Sequence, residues 1–318
     1  MRGIVTKEGV SIVDYDVIII GGGPAGLTAA IYLGRSRYRV LLMEKGQFGG
    51  QLIDAEWIEN YPGFSEGVAG AMLASEMVSQ TVKYGAELEL GEVIGIESFT
   101  DHKSVTCADG KRLTSAAVVI AGGARSRKLG VPGEDTFQGK GVIHCALCDG
   151  GKFVDRVVAV CGGGDAGVTE AIYLTNFSSR VFVIEALPAL TATAVLREKA
   201  YANPKLEVRC GERIVQIIGD TRLKAIELAK AATGQKETLR VDGVLVRVGI
   251  EPNTAYLEGV IPLDNEGKIV VNNSLETAVP CVLAAGDIRK DSPQQAVTAV
   301  GDGAIAAMTA QRLLQVLK

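Results

Sequence analysis

Val17-Ile18-Ile19-Ile20-Gly21-Gly22-Gly23-Pro24-Ala25-Gly26 is a short β-branched run that stops at a glycine turn. A strand that feeds such a turn and is followed by a helix is the setting in which G-x-G-x-x-G cradles a pyrophosphate. Gly21, Gly23 and Gly26 supply the spacing. Pro24 suits the first helical turn, where a missing N–H costs nothing. The helix is expected to run through Ile31-Tyr32-Leu33. A second strand, Val40-Leu41-Leu42-Met43, ends at Glu44. A carboxylate at that strand end can accept both hydroxyls of an adenosine ribose.

The pattern occurs twice. Residues 162–185 match residues 21–44 at 13 of 24 positions without a gap. Gly162, Gly164 and Gly167 repeat the glycines, Ile172-Tyr173-Leu174 repeats the helix, and Glu185 repeats the acid. The preceding strand returns as Val157-Val158-Ala159-Val160. One glycine fingerprint is a weak signal. Two with the same flanking strands and the same acid spacing predict an α/β protein with two Rossmann-like three-layer dinucleotide-binding domains.

Between the two turns stands Cys145-Ala146-Leu147-Cys148-Asp149-Gly150. Cysteines two residues apart can close and reopen a small disulfide, and Asp149 can move the proton that thiol chemistry needs. A dithiol between two nucleotide-binding units suggests an electron path from donor to cofactor to disulfide to substrate. A zinc site is the bland alternative, but it wants four ligands. The other cysteines, 107, 161, 210 and 281, are isolated in sequence, and only His102 and His144 accompany them. Cys161 and Cys281 read as small core residues at strand ends. His144 reads as a turn or interface residue, and Trp57 as packing near the cofactor or a plain structural residue.

The 318 residues suit about two domains. The net charge of −4 gives no reason to expect nucleic acid or a membrane surface as partner. No long apolar core opens the chain and no run approaches a membrane span, so a soluble cytoplasmic protein is expected. In that compartment a CxxC is catalytic or metal-binding rather than structural. Residues 1–14 read as an extension into the first strand. Ala117–Ala124 reads as a strand ending in small residues that return to the first dinucleotide. Residues 125–135 and 244–256 carry the glycines and prolines of two hinges. Near the C-terminus Val282-Leu283-Ala284-Ala285 runs into Gly286-Asp287, with a helix from about Gln295.

Together these motifs resemble the low-molecular-weight thioredoxin reductases, which are flavoprotein disulfide reductases. The resemblance covers residues 14–318. Besides the glycine turns and the CxxC it rests on Gly49-Gly50-Gln51-Leu52, Glu59-Asn60-Tyr61-Pro62-Gly63, Gly249 with Pro252-Asn253, and Gly286-Asp287 with Gln295-Ala296. It implies a discontinuous FAD domain over 1–125 and 255–318, and an inserted pyridine-nucleotide-type domain over 126–254. It also implies a homodimer whose two domains rotate against each other, presenting the dithiol alternately to flavin and to protein substrate. Gly21, Gly23, Pro24, Ala25 and Gly26 would lie at the FAD pyrophosphate and Glu44 at its ribose. Gly50, Gln51, Asn60, Ala121 and Gly122 would lie along the cofactor. Gly286 and Asp287 would hold the ribityl chain, and Gln295 and Ala296 the pyrimidine end of the ring. Cys148 resembles the thiol that faces the flavin, Cys145 the one that attacks a thioredoxin-like protein, and Asp149 the acid between them. Thioredoxin sits at about −270 mV, so the donor must be about as reducing.

The chain departs from the family at the nicotinamide site. The family's His-Arg-Arg cluster is replaced by Glu185-Ala186-Leu187-Pro188-Ala189-Leu190-Thr191. A 2′-phosphate wants Arg or Lys, and Glu185 repels it, so NADPH is not expected to bind well. Two donors stay open. NADH would use Glu185 to hold a free 2′-hydroxyl. A non-nicotinamide donor, such as ferredoxin or a reduced flavin, would explain the apolar 186–190 stretch. Two competing functions are an FAD-dependent dithiol oxidase using oxygen and a flavin-binding redox sensor. The intact CxxC-Asp argues against the latter.

Overall fold

Strands buried on both faces read as unbroken apolar runs, because helices or a second sheet must cover each side. Val17, Ile18 and Ile19 are fully buried, as are Val158, Ala159 and Val160. The computed structural model describes residues 4–6, 9–11, 13–55, 58 and 60–316. Trp57 and Glu59, singled out in the sequence, lie outside the described residues. The helices are α1 (Pro24–Arg35), α2 (Gly70–Lys83), α3 (Ala146–Asp149), α4 (Asp165–Leu174), α5 (Ala194–Ala202) and α6 (Ala296–Val316).

The chain divides into two units. One comprises Met1–Arg125 and Glu251–Lys318, the other Ser126–Ile250. The return crossing thus lies at Glu251, where the sequence had placed it after Thr254. The strands at the two crossings, Ala124–Ser126 and Ile250–Pro252, pair with each other. The fold is α/β, with two Rossmann-like units, the second inserted into the first.

In the first unit a parallel sheet runs Glu87–Leu90, Val40–Glu44, Tyr15–Ile20, Arg112–Ile120 and Val282–Ala284. The long strand Arg112–Ile120 also pairs antiparallel with Lys103–Cys107, which pairs with Val93–Ser98. That three-stranded meander covers one face of the sheet, around Ile18, Ile20, Ile96 and Val105. Helices α1, α2 and α6 cover the other, around Leu27, Leu33, Leu42 and Ala306. Each fully buried Leu or Ile there contributes roughly 1.5–3 kcal/mol. The N-terminal stretch, read in sequence as a plain extension, forms a small antiparallel pair, Ile4–Thr6 with Gly9–Ser11.

The second unit repeats the plan. Its parallel sheet runs Val142–Ile143, Gly243–Val246, Val157–Cys161, Arg180–Glu185 and Leu206–Cys210. A core around Val158, Val160, Val168 and Leu174 lies on the α4 and α5 side. A three-stranded antiparallel sheet of Glu212–Gly219, Leu223–Lys230 and Lys236–Arg240 supplies Ile214, Ile226 and Leu228 to the other face. Among the described residues no helix is long and apolar enough to cross a membrane.

Candidate active site

The two glycine turns are built alike, and sterics explain why. Gly21 has φ +108° and Gly162 φ +121°. A Cβ on Gly21 would lie 2.3 Å from the Ala121 carbonyl oxygen, and one on Gly162 2.2 Å from that of Arg247. A Cβ on Gly26 or Gly167 would lie 1.9 or 2.1 Å from the oxygen of its own first glycine. Only glycine lets the strand, the turn and the helix approach this closely. Helix α1 starts after Gly23 and α4 after Gly164, both without a side-chain cap. Each helix therefore points uncapped N–H groups at whatever lies across its turn, which is an anion site.

The two strand-end acids are also alike. Glu44 accepts the Gly22 N–H at 2.7 Å and the Gly46 N–H at 2.9 Å. Glu185 accepts the Gly163 N–H at 2.6 Å and the Leu187 N–H at 2.9 Å. A carboxylate has about four acceptor positions, so each retains capacity for ribose hydroxyls.

In the first unit the remaining sequence-derived positions converge from four stretches. Gly50 lies against Gly23, where a Cβ on Gly50 would come within 2.9 Å of the Gly23 Cα. Gln51 Nε2 donates to the Ala124 carbonyl at 2.6 Å. Asn60 Nδ2 donates to Gln295 Oε1 at 3.2 Å, across 235 residues. The Gly122 carbonyl, after Ala121, accepts Asn253 Nδ2 at 2.7 Å. Asp287 accepts the Ser292 hydroxyl at 3.2 Å, and its burial pushes its carboxyl above the usual range. Gln295 precedes Ala296, the first residue of α6. One contributor was missed in sequence. Asp302, buried within α6, accepts the Gly286 N–H at 2.9 Å and takes Arg289 bidentately at 2.6 and 3.0 Å. Its signal was a lone acid inside an alanine- and glycine-rich helix.

In the second unit Cys145 and Cys148 are joined in a disulfide, with Cα atoms 5.4 Å apart. Cys145 caps α3, its sulfur accepting the Cys148 N–H at 3.2 Å. Leu147 and Cys148 are exposed. Asp149 pairs with Lys152 at 3.0 Å. His144 Nε2 lies 3.1 Å from Gln138 Oε1, and burial holds its imidazole below the ordinary pKa. The other cysteines are poor nucleophiles. Burial pushes the Cys161 thiol up to about 12, and burial also raises Cys107, Cys210 and Cys281.

A cavity of about 820 Å3 opens over the second glycine turn. Gly162–Gly167, Glu185, Ala186 and Thr191 line it, as do Val131, Pro132 and Gly249. Leu190, part of the apolar stretch, turns instead into the core beneath Gly163. Two cations that the sequence reading passed over also line it, Arg213 and Arg247. Arg213 lies near the start of the strand Glu212–Gly219, beyond Cys210 in sequence, so no local spacing linked it to Glu185. Arg247 had a signal, a charge ending the buried run Val244-Leu245-Val246.

Residues 15–303 match the family model described as pyridine nucleotide-disulphide oxidoreductase. The thioredoxin reductase of Bacillus subtilis is 39% identical over 305 residues, covering 96% of this chain and 96% of that protein. This chain belongs to the thioredoxin reductase family. Another relative, the thioredoxin reductase of Listeria innocua, is 38% identical, covering 96% of this chain and 95% of that protein. The crystal structure of thioredoxin reductase from Streptococcus pyogenes superposes with a TM-score of 0.91 at 39% identity, covering 95% of this chain and 98% of that one. Membership of a thioredoxin reductase family within the pyridine nucleotide-disulphide oxidoreductases implies FAD and a nicotinamide nucleotide as the electron-carrying pair.

Proposed function

We propose that this chain is an FAD-dependent reductase that passes electrons from NADH through the Cys145–Cys148 disulfide to a thioredoxin-like protein. The observation that carries the choice of donor is the Glu185 carboxylate. It lines a formed cavity and is held by two backbone N–H groups in the same way as Glu44. A carboxylate so held suits a free ribose 2′-hydroxyl and repels a 2′-phosphate. The intact cavity favours a nicotinamide donor over ferredoxin.

FAD fits the first unit. The close approach of Gly50 to Gly23 leaves no room for side chains, and α1 keeps its uncapped N–H groups for a pyrophosphate. Glu44 would hold the adenosine ribose, Asp287 the ribityl hydroxyls, and Gln51, Asn60 and Gln295 the cofactor's polar edges. Bound FAD supplies the two-electron relay between a nicotinamide and a disulfide.

The chain's own residues do the thiol chemistry. Cys148 takes the reducing electrons into the disulfide. Asp149, paired with Lys152 beside the dithiol, is placed to relay the proton that the opening thiol takes up. Cys145 then attacks the partner disulfide, forming a mixed disulfide, and Cys148 displaces the partner's thiol and closes the Cys145–Cys148 bond. Two electrons and two protons leave with the reduced partner. Val297, Ile305 and Met308 are exposed along one side of α6, an apolar strip that supports a homodimer.

The test is anaerobic flavin absorbance. NADH is expected to bleach the FAD-loaded protein at concentrations at least tenfold below NADPH. Preference for NADPH would defeat the Glu185 reading and make Arg213 the candidate phosphate ligand. Bleaching by neither would return the donor to ferredoxin or a reduced flavin.

A further inference from the structure

The second unit carries an ion pair where the first carries two alanines. The carbonyl of Arg247 packs against Gly162 as that of Ala121 packs against Gly21. Glu170 on α4 matches Ala29 on α1 in the internal repeat. Arg247 pairs with Glu170, and both side chains are about 15% exposed or less. A mostly buried pair gains little stability over the apolar residues it replaces, because desolvation offsets the attraction.

Glu170 has two oxygens and uses them in two directions. One takes the Arg247 guanidinium. The other accepts the Ala146 N–H at 2.6 Å. Ala146 stands between the two redox cysteines and is the first residue of α3, whose cap is Cys145. Arg247 faces the other way as well. It lines the cavity, and among the described residues its buried Nε has no hydrogen-bond partner. It follows the strand Gly243–Val246, which neighbours Val157–Cys161 on the side opposite Arg180–Glu185. That is the point where strand order reverses, the crevice in which doubly wound sheets bind dinucleotides. A guanidinium with spare donors there can turn to a phosphate or a carboxamide oxygen.

We propose that Arg247, Glu170 and the Ala146 N–H form a link through which a dinucleotide in the cavity biases the Cys145–Cys148 couple towards the disulfide. The proposal rests on the nucleotide reading above. A bound dinucleotide draws the Arg247 charge to itself. Glu170 is then left as a less compensated carboxylate bonded to the dithiol loop. A nearby negative charge disfavours thiolate, so the reduced form loses stability relative to the neutral disulfide. The effect makes the dithiol a stronger reductant while the donor site is filled. Glu170 and Arg247 are positioning residues in this scheme.

The test uses the full-length, FAD-loaded protein at pH 8 and the redox-inert tetrahydro form of NADH. The protein is equilibrated in a dithiothreitol buffer, which supplies or accepts the two electrons and two protons of the couple. Maleimide mass-tagging reads the dithiol-to-disulfide ratio, and calorimetry reads binding. Saturating ligand is expected to lower the ratio about fivefold, equivalent to about 20 mV for a two-electron couple. Arg247→Met should show the lowered ratio without ligand, and no further response to it. Glu170→Gln keeps an acceptor for Ala146 and should show no ligand response, which holds the test open if Arg247→Met does not fold. Binding with an unchanged ratio in the wild type would overturn the link and leave the nucleotide reading standing. A full ligand response in either variant would do the same. Absence of binding would overturn both.

Discussion

Replacing Glu185 with Ala should invert the nucleotide preference, and the magnitude follows from its bonds. The carboxylate holds the Gly163 and Leu187 N–H groups and has acceptor capacity left for a ribose. Loss of a hydrogen bond to a charged acceptor costs about 2 kcal/mol, or about 30-fold in kcat/KM for NADH. For NADPH the sign reverses. A 2′-phosphate with a charge of about −1.5 to −2, at about 5 Å from a half-buried carboxylate in near-aqueous dielectric, is repelled by about 1.5 kcal/mol. Removing Glu185 therefore favours NADPH by about tenfold, and Arg213 on the same cavity wall becomes an unopposed cation. Freeing the two loop N–H groups loosens the turn for both nucleotides alike. The ratio of the two kcat/KM values cancels that common loss, which makes the ratio the proper readout. It should fall about 300-fold, measured anaerobically as the initial rate of flavin bleaching across nucleotide concentrations. A ratio unchanged within about threefold would refute the assignment of Glu185 as the ribose selector.

Three other outcomes are expected. Cys145→Ser keeps a good helix cap for α3, so the fold should survive and NADH should still bleach the flavin, while reduction of a thioredoxin-like protein is lost. An assay of both activities on one preparation checks it. Asp287→Asn should raise the melting temperature of the FAD-free protein at pH 7 yet weaken FAD binding. Burial raises the Asp287 carboxyl pKa in the folded state, so its stabilising share is full below the unfolded carboxylate range and is lost as pH rises through the folded value. The melting difference should therefore close as the pH approaches about 3–4. Asp302→Asn breaks a buried bidentate pair with Arg289 and weakens the anchor of Gly286, costing about 3–5 kcal/mol by denaturant titration.

Much of the site was legible because nucleotide turns leave local marks. A Cβ on Gly26 would strike the nearby Gly21 carbonyl, a local reason for glycine, whereas Gly21 is held to glycine by the distant Ala121 carbonyl and was readable only through the G-x-G-x-x-G spacing; Gly162 and Gly167 repeat both contacts. Glu44 and Glu185 were readable because a strand of fixed length carries the acid back to the turn. The CxxC was readable because a disulfide of that size closes within a single helical turn. Asn60 and Gln295 came only through the family resemblance, since nothing local joins positions 235 apart.

The sequence by itself determined the two parallel-sheet units, the acids at their strand ends and the dithiol between them, since each leaves its mark in the spacing of residue types along the chain. Only the tertiary structure decided which distant charges share a cavity or a carboxylate. Arg213 and Arg247 reach the nucleotide turn because the strands that carry them assemble beside it. Glu170 touches the dithiol loop because α4 packs beside α3. Side-chain pairing across such separations depends on how the sheets close, and no spacing along the chain encodes it.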